Sequence, residues 1–122
     1  MVKVASIDLG SNSTRLLIAD TIDGKIFSIH KEHHVTRMGD NLTKSKNISK
    51  ESIKRVLKVL TQYFKTIDIN GVENVQIVGT AALRDAENSE EVIMKIQKKF
   101  DVEIDIVSGE EEGVLTLSLI HI

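Results

Sequence analysis

Three stretches of this 122-residue sequence combine residue types that can handle a phosphate group. The first is Asp8-Leu9-Gly10-Ser11-Asn12-Ser13-Thr14. A turn built from Gly10, Ser11, Asn12 and Ser13 offers backbone N–H donors, and the glycine lets the chain approach an anion closely. Asp8, at the end of an apolar run, can aim a carboxylate at the same space and hold a divalent cation, directly or through water. The same residues also make a plain hairpin turn. The second stretch is Gly79-Thr80-Ala81-Ala82-Leu83-Arg84-Asp85-Ala86. Arg84 can grip two phosphate oxygens as a fork, although residue type alone favours a surface arginine paired with Asp85 or Glu87. The third is Ser108-Gly109-Glu110-Glu111-Glu112. A glutamate there can orient or deprotonate a water, but acidic residues are favoured at a helix start whether or not they do chemistry. Spacing does not choose among the three glutamates.

Two other clusters invite a functional reading. Lys50, Lys54 and Lys58 recur every four residues, with Lys44, Lys46 and Arg55 nearby. Such a stripe costs roughly 0.2–0.5 kcal/mol per like-charged pair in a helix. It is either a track for a long polyanion or a solvated helix face, and the solvated face is the simpler account. His30, His33 and His34 suggest a metal, but adjacent His33 and His34 point to opposite faces of an extended chain. They read as surface or packing residues.

The elements that must position these groups follow from hydrophobic period. Residues 2–7 form a short apolar strand, 14–20 a second strand, and Asp23-Gly24 is a hairpin signal leading into a third strand over 25–35. This opening is an antiparallel meander. Residues 40–48 are polar and turn-like. Ile53, Val56, Leu57, Leu60 and Phe64 then fall at helical spacing behind Ser49, a suitable N-cap. A strand over 75–78 ends at Gly79. A helix begins near Asn88-Ser89 with Glu90 and Glu91 in its first turn, burying Val92, Ile93, Ile96 and Phe100. Residues 102–107 alternate as a strand, and Ser108 with Glu111 fits a capping box opening another helix. The order is βββ-α-β-α-β-α, a mixed sheet with helices packed on it.

Bulk composition narrows the function classes. The chain is 41% hydrophobic, 28% charged and only 3% aromatic, so its core rests on Ile, Leu and Val. A net charge of −2 and a pI near 6.1 argue against a general nucleic-acid binder. Without cysteine, disulfides and thiolate metal sites are excluded. The sequence shows neither a signal peptide nor an apolar run of membrane-spanning length, and a cytoplasmic location with no membrane partner is expected.

Residues Ile7 to Leu16 carry a resemblance. They look like the first phosphate motif of the exopolyphosphatase/guanosine-pentaphosphate phosphatase (Ppx/GppA) family. Arg37-Met38-Gly39, Gly79 to Ala86, and Val107-Ser108-Gly109-Glu110-Glu111-Glu112 agree with that family in order and spacing. The resemblance implies an α/β fold: an actin-like/ribonuclease H-like half-domain of the sugar-kinase/actin superfamily. It implies hydrolysis of the terminal phosphoanhydride of inorganic polyphosphate or guanosine pentaphosphate. It places Gly10, Ser11, Asn12, Ser13 and Arg84 on phosphate, with Arg84 also catalytic. It makes Glu112 the catalytic glutamate and Asp8 a ligand for Mg²⁺ or another divalent cation. A homodimeric parent protein is expected, with no nucleic-acid partner.

The family's second phosphate motif, of Asp-Ile-Gly-Gly-Gly-Ser type, has no counterpart in this sequence. Residues 1–116 are therefore expected to be the N-terminal part of a phosphatase domain, inactive alone. Residues 117–122, Leu117-Ser118-Leu119-Ile120-His121-Ile122, match a translated transposase-end adaptor used in sequencing libraries and are expected to be non-native. The competing functions are an actin-fold kinase or ATPase fragment and a non-enzymatic phosphate-binding module.

Overall fold

A computed structural model describes residues 2–40 and 42–106. The capping-box helix at Ser108, the glutamates 110–112 and the 117–122 segment lie outside these residues.

Three strands open the chain: β1 (Val2–Leu9), β2 (Ser13–Ile22) and β3 (Lys25–Val35). β1 pairs antiparallel with β2, and β2 with β3. This is the expected meander. Asp23 and Gly24 turn β2 into β3 with φ of 51° and 77°, both in the left-handed region that an Asp-Gly turn supplies at little cost. β4 (Asn74–Gly79) then pairs parallel with β1, and β5 (Ile104–Ile106) pairs parallel with β4. The sheet order is β3-β2-β1-β4-β5, so the first strand lies at its centre.

Four helices are described: α1 (Leu42–Ser45), α2 (Lys50–Ile69), α3 (Ala81–Asp85) and α4 (Ser89–Phe100). α2 and α4 are the two that periodicity requires. The single-turn α1 and α3 go beyond the expected order, because four or five residues hold too little pattern to read. Ser49 caps α2, its Oγ accepting from the Ser52 N–H at 3.1 Å. Asn88 precedes α4 but makes no side-chain cap. Its amide instead bridges to the Ile48 backbone, accepting from N–H at 2.8 Å and donating to C=O at 3.0 Å. It thereby ties the approach to α4 to the approach to α2.

One face of the sheet is dry. Ala5, Ile7 and Leu9 of β1, Leu16 and Ile18 of β2, and Ile77 of β4 are buried in one cluster with Val56, Leu60 and Tyr63 of α2 and Val92 and Ile96 of α4. Leu57 and Phe64, expected on the buried face of α2, are only partly buried, and Tyr63 takes the deep position. The reason is polar. The Tyr63 hydroxyl donates to the Thr14 carbonyl at 2.8 Å, and His34 Nδ1 lies 2.9 Å from the Tyr63 hydroxyl oxygen. A phenol supplies both apolar bulk and a donor that reaches a buried acceptor. Because the hydroxyl hydrogen goes to Thr14, His34 must be the donor in its own bond, which fixes its proton on Nδ1.

Burial, aided by the nearby Glu32 carboxylate, pushes the Tyr63 phenol well above its ordinary value of 10.0. The folded state thus favours the neutral phenol. Its contribution is complete below pH 10 and is lost as pH rises above the value at which the unfolded chain ionises. Tyr63→Phe should cost ~1–3 kcal/mol at neutral pH by removing the bonds that its buried hydroxyl makes to the Thr14 carbonyl and to His34. In urea titrations across pH 7–11.5, the gap between wild type and Tyr63→Phe should narrow above about pH 10. A constant gap would contradict this role for the phenol.

Candidate phosphate site

The register of the parallel strands sets the location. Leu9 pairs with Gly79, and Gly79 with Ile106, so β1, β4 and β5 end level with one another. The crevice beyond the carboxyl ends of parallel strands is where open α/β sheets bind ligands. Two of the three candidate stretches leave the sheet there, at Gly10 and at Thr80. The third follows Ile106 in the sequence.

The hairpin between β1 and β2 is tight. The Gly10 N–H donates to the Ser13 carbonyl at 2.9 Å and closes the turn. It is therefore committed within the protein rather than offered to a ligand. The turn's carbonyls are gripped from behind by the segment after β3. Asn12 O accepts from the N–H groups of Thr36 and Arg37 at 3.1 and 3.0 Å, and Ser11 O accepts from the Gly39 N–H at 2.8 Å. The Ser11 hydroxyl accepts from the Ala82 N–H at the start of α3, at 3.2 Å. Below it, Thr80 donates to Leu9 O through both its N–H, at 3.2 Å, and its hydroxyl, at 3.3 Å. Among the described residues, the N–H groups of Ser11 and Asn12 have no backbone acceptor. Two adjacent donors in a clamped turn are what an anion nest requires.

Arg37-Met38-Gly39 and Gly79 to Ala86, distant in sequence, thus meet at Ser11. Met38 is fully buried and anchors its segment. Gly39 lies close to the turn: a Cβ there would sit 3.2 Å from Ser11 Cβ and 3.4 Å from Ser11 O, so Ser11 would have to give by a few tenths of an ångström. Gly79 is crowded too: a Cβ would meet Leu83 Cδ1 at 2.7 Å and Ile106 Cδ1 at 3.0 Å. A hollow of about 430 Å³ opens beside the turn, lined by Ser11, Gly39, Leu42, Thr43, Ala82 and Asp85 among others.

The remaining expected residues fall as follows. Asp8 sits one residue from the end of β1, half-buried, registered against Arg15 and Val78 and on the opposite face from Ile7 and Leu9. Ser13 begins β2, paired with Val35. Arg84 is exposed on α3 and forks onto its neighbour, with Nε 3.0 Å from Asp85 Oδ1 and Nη2 3.3 Å from Oδ2. That bond holds the Asp85 carboxyl below its usual range and raises the Arg84 guanidinium. This is the pairing that residue type alone favoured. Glu112 lies outside the described residues. Lys50, Lys54 and Lys58 are all exposed on α2. His34 packs against the Tyr63 ring at 5.5 Å between centroids, His30 Nε2 lies 2.9 Å from Glu32 Oε2, and His33 is exposed. Thr36 and Tyr63, which brace the turn, carried no signal in the sequence beyond their side-chain type.

A divalent cation can be weighed against these residues. Among them no group of three or more His, Asp or Glu side chains converges. Mg²⁺ held by one or two carboxylates and completed by water and substrate phosphate needs no such cage, and the hard oxygen of Asp8 suits it.

Comparison with known proteins places the chain in a family. Residues 17–121 match the Ppx/GppA phosphatase family. A guanosine-5'-triphosphate,3'-diphosphate pyrophosphatase of Vibrio cholerae is 36% identical over 109 residues, covering 89% of this chain and 22% of that protein. The crystal structure of the Aquifex aeolicus Ppx/GppA family member superposes with a TM-score of 0.86 at 35% identity, over 92% of this chain and 37% of that one. An exopolyphosphatase from Cytophaga hutchinsonii gives 0.84 at 27% identity, over 93% and 36%. The chain spans about a fifth to two fifths of the length of these relatives. The mixed sheet with its helices is the α/β, actin-like half-domain that the motifs implied. Among the described residues, no helix is long and apolar enough to cross a membrane.

Gly39→Ala tests the clamp. Forcing Ser11 outward by a few tenths of an ångström should cost ~1–2 kcal/mol of stability. It should also weaken inorganic phosphate binding at least severalfold, measured by calorimetry. Unchanged phosphate affinity would mean that the turn does not depend on Gly39.

Proposed function

The chain belongs to the Ppx/GppA phosphatase family, and on that premise we propose that it supplies one wall of a cleft that removes the terminal phosphate of inorganic polyphosphate or guanosine pentaphosphate. The observation that carries this reading is the turn itself. Among the described residues, the Ser11 and Asn12 N–H groups have no backbone acceptor, while the 36–39 segment grips the turn's carbonyls and Ala82 N–H bonds the Ser11 hydroxyl.

Phosphoanhydride hydrolysis asks the protein to hold the phosphoryl group, offset charge on its oxygens and place a water in line. The Ser11 and Asn12 amides, with Ser13 beside them, take the terminal phosphate. Gly10 keeps the turn tight enough for the oxygens to reach them. Arg84 exchanges its carboxylate partner for phosphate oxygens, a substitution of one planar two-oxygen acceptor for another. Asp85 then serves as the resting partner that keeps the guanidinium at the rim. Glu112 orients or deprotonates the attacking water. Mg²⁺ at Asp8 would supply charge neutralisation when bound. Stabilising a transition state requires donors fixed around the whole reacting group. These residues form one side only, so the 122 residues by themselves should bind phosphate weakly and turn over no substrate.

Phosphate release by these residues within a chain of the relatives' full length is the test. Glu112→Gln should lower kcat about 10²- to 10⁴-fold on polyphosphate or guanosine pentaphosphate, whichever is the substrate. Failure of the wild-type protein to release phosphate from either compound would refute the proposal.

A further inference from the structure

The turn that holds the phosphate is itself held by residues 36–39, and those in turn by α2. Arg55 lies on α2, partly buried. Its Nε donates to the Thr36 carbonyl at 2.8 Å, and its Nη2 donates to Ser52 Oγ at 2.9 Å and approaches the Arg37 carbonyl at 3.4 Å. The Ser52 hydroxyl donates to the same Arg37 carbonyl at 2.9 Å. Asp40 sits 3.8 Å from Nη2 and closes the ring of contacts. Both carbonyls that Arg55 approaches belong to residues whose N–H groups converge on Asn12 O.

That convergence has a cost. Arg37 adopts φ 52°, a left-handed conformation uncommon for any residue but glycine or asparagine. Such a conformation persists where the surroundings over-determine it. Here it lets Thr36 and Arg37 aim successive N–H groups at one oxygen, and lets the chain return to place Gly39 N–H on Ser11 O. The guanidinium has the planar, forked donors needed to fix neighbouring acceptors, whereas an ammonium presents a single flexible point charge.

We propose that Arg55 is a positioning residue for the phosphate-binding turn: it locks residues 36–39 in the shape that presents the Ser11 and Asn12 amides. The proposal rests on the phosphate reading of that turn for its function, and on the hydrogen bonds alone for its mechanics. Arg55 touches no phosphate. It differs in this from the exposed lysines of the same helix, whose effect on a polyanion would be through charge.

Two variants separate these roles. Arg55→Lys keeps the charge and most of the stem but loses the fork, and Lys54→Gln removes an exposed charge on the same helix. Amide hydrogen exchange, resolved by residue, is measured on the full 122-residue chain together with inorganic phosphate titration. In Arg55→Lys the Thr36, Arg37 and Gly39 amides should exchange roughly tenfold faster or more, while β1 and β4 amides keep their protection. Phosphate affinity should fall severalfold, and Lys54→Gln should leave all three amides unchanged. A uniform rise across the sheet, or unfolding of the lysine variant, would assign Arg55 to global stability and overturn the proposal. Unchanged exchange at Thr36, Arg37 and Gly39 would overturn it as well. If the wild-type chain binds no phosphate while these amides respond as expected, the functional reading fails and the mechanical one stands.

Discussion

Two successive N–H groups, from Thr36 and Arg37, converge on the single carbonyl oxygen of Asn12. A carbonyl oxygen has two lone pairs and accepts both bonds. With Ser11 O taken by Gly39 and Ser13 O by Gly10, three carbonyls of the turn are satisfied by protein, whereas the Ser11 and Asn12 N–H groups have no backbone acceptor among the described residues. A free carbonyl facing a phosphate would repel it, so binding those of Ser11, Asn12 and Ser13 within the protein favours the turn's positive side. Much of the local architecture serves that asymmetry. The meander brings the end of β3 back behind the β1–β2 turn, and α2 braces the returning chain through Ser52 and Arg55.

The same constraint explains where the chain is closely packed around glycines. Gly39 sits against the turn it holds, and any Cβ would press on Ser11. Gly79 ends β4 beside Leu9, where Leu83 of α3 and Ile106 of β5 already fill the space that a side chain would need. α3 can therefore start directly after the strand and offer its Ala82 N–H to Ser11 Oγ. Packing and site geometry are coupled here. The residues that keep three strand ends level are also those that bring the motifs into contact.

The fold was largely legible in the sequence where a pattern was long. The β1–β3 meander, the Asp23-Gly24 turn, the Ser49 cap and the two long helices all follow from period and turn chemistry. The one-turn helices α1 and α3 did not, since a single turn carries no period. Helical spacing singles out Phe64 and passes over Tyr63; the deciding fact is a buried carbonyl on Thr14, which sequence cannot show. At the site, residue types marked the turn as a candidate, whereas Arg84 was placed on phosphate only by the family resemblance, residue type alone favouring its pairing with Asp85 or Glu87. What the sequence hid was which amides were already committed: Gly10 N–H closes the hairpin, while those of Ser11 and Asn12 do not. Arg55 was visible only as one charge among several on a basic helix. Its neighbours Thr36 and Arg37, about 20 residues away in sequence, gave it a different role.

A residue-resolved amide titration of the chain with inorganic phosphate tests the central claim most directly, that the Ser11–Asn12 amides are the anion-binding donors. The account predicts that the Ser11 and Asn12 amide resonances shift first and furthest, with smaller changes at Gly39 and Ala82. Shifts confined to the lysine face of α2, with Ser11 and Asn12 unmoved at saturating phosphate, would contradict it.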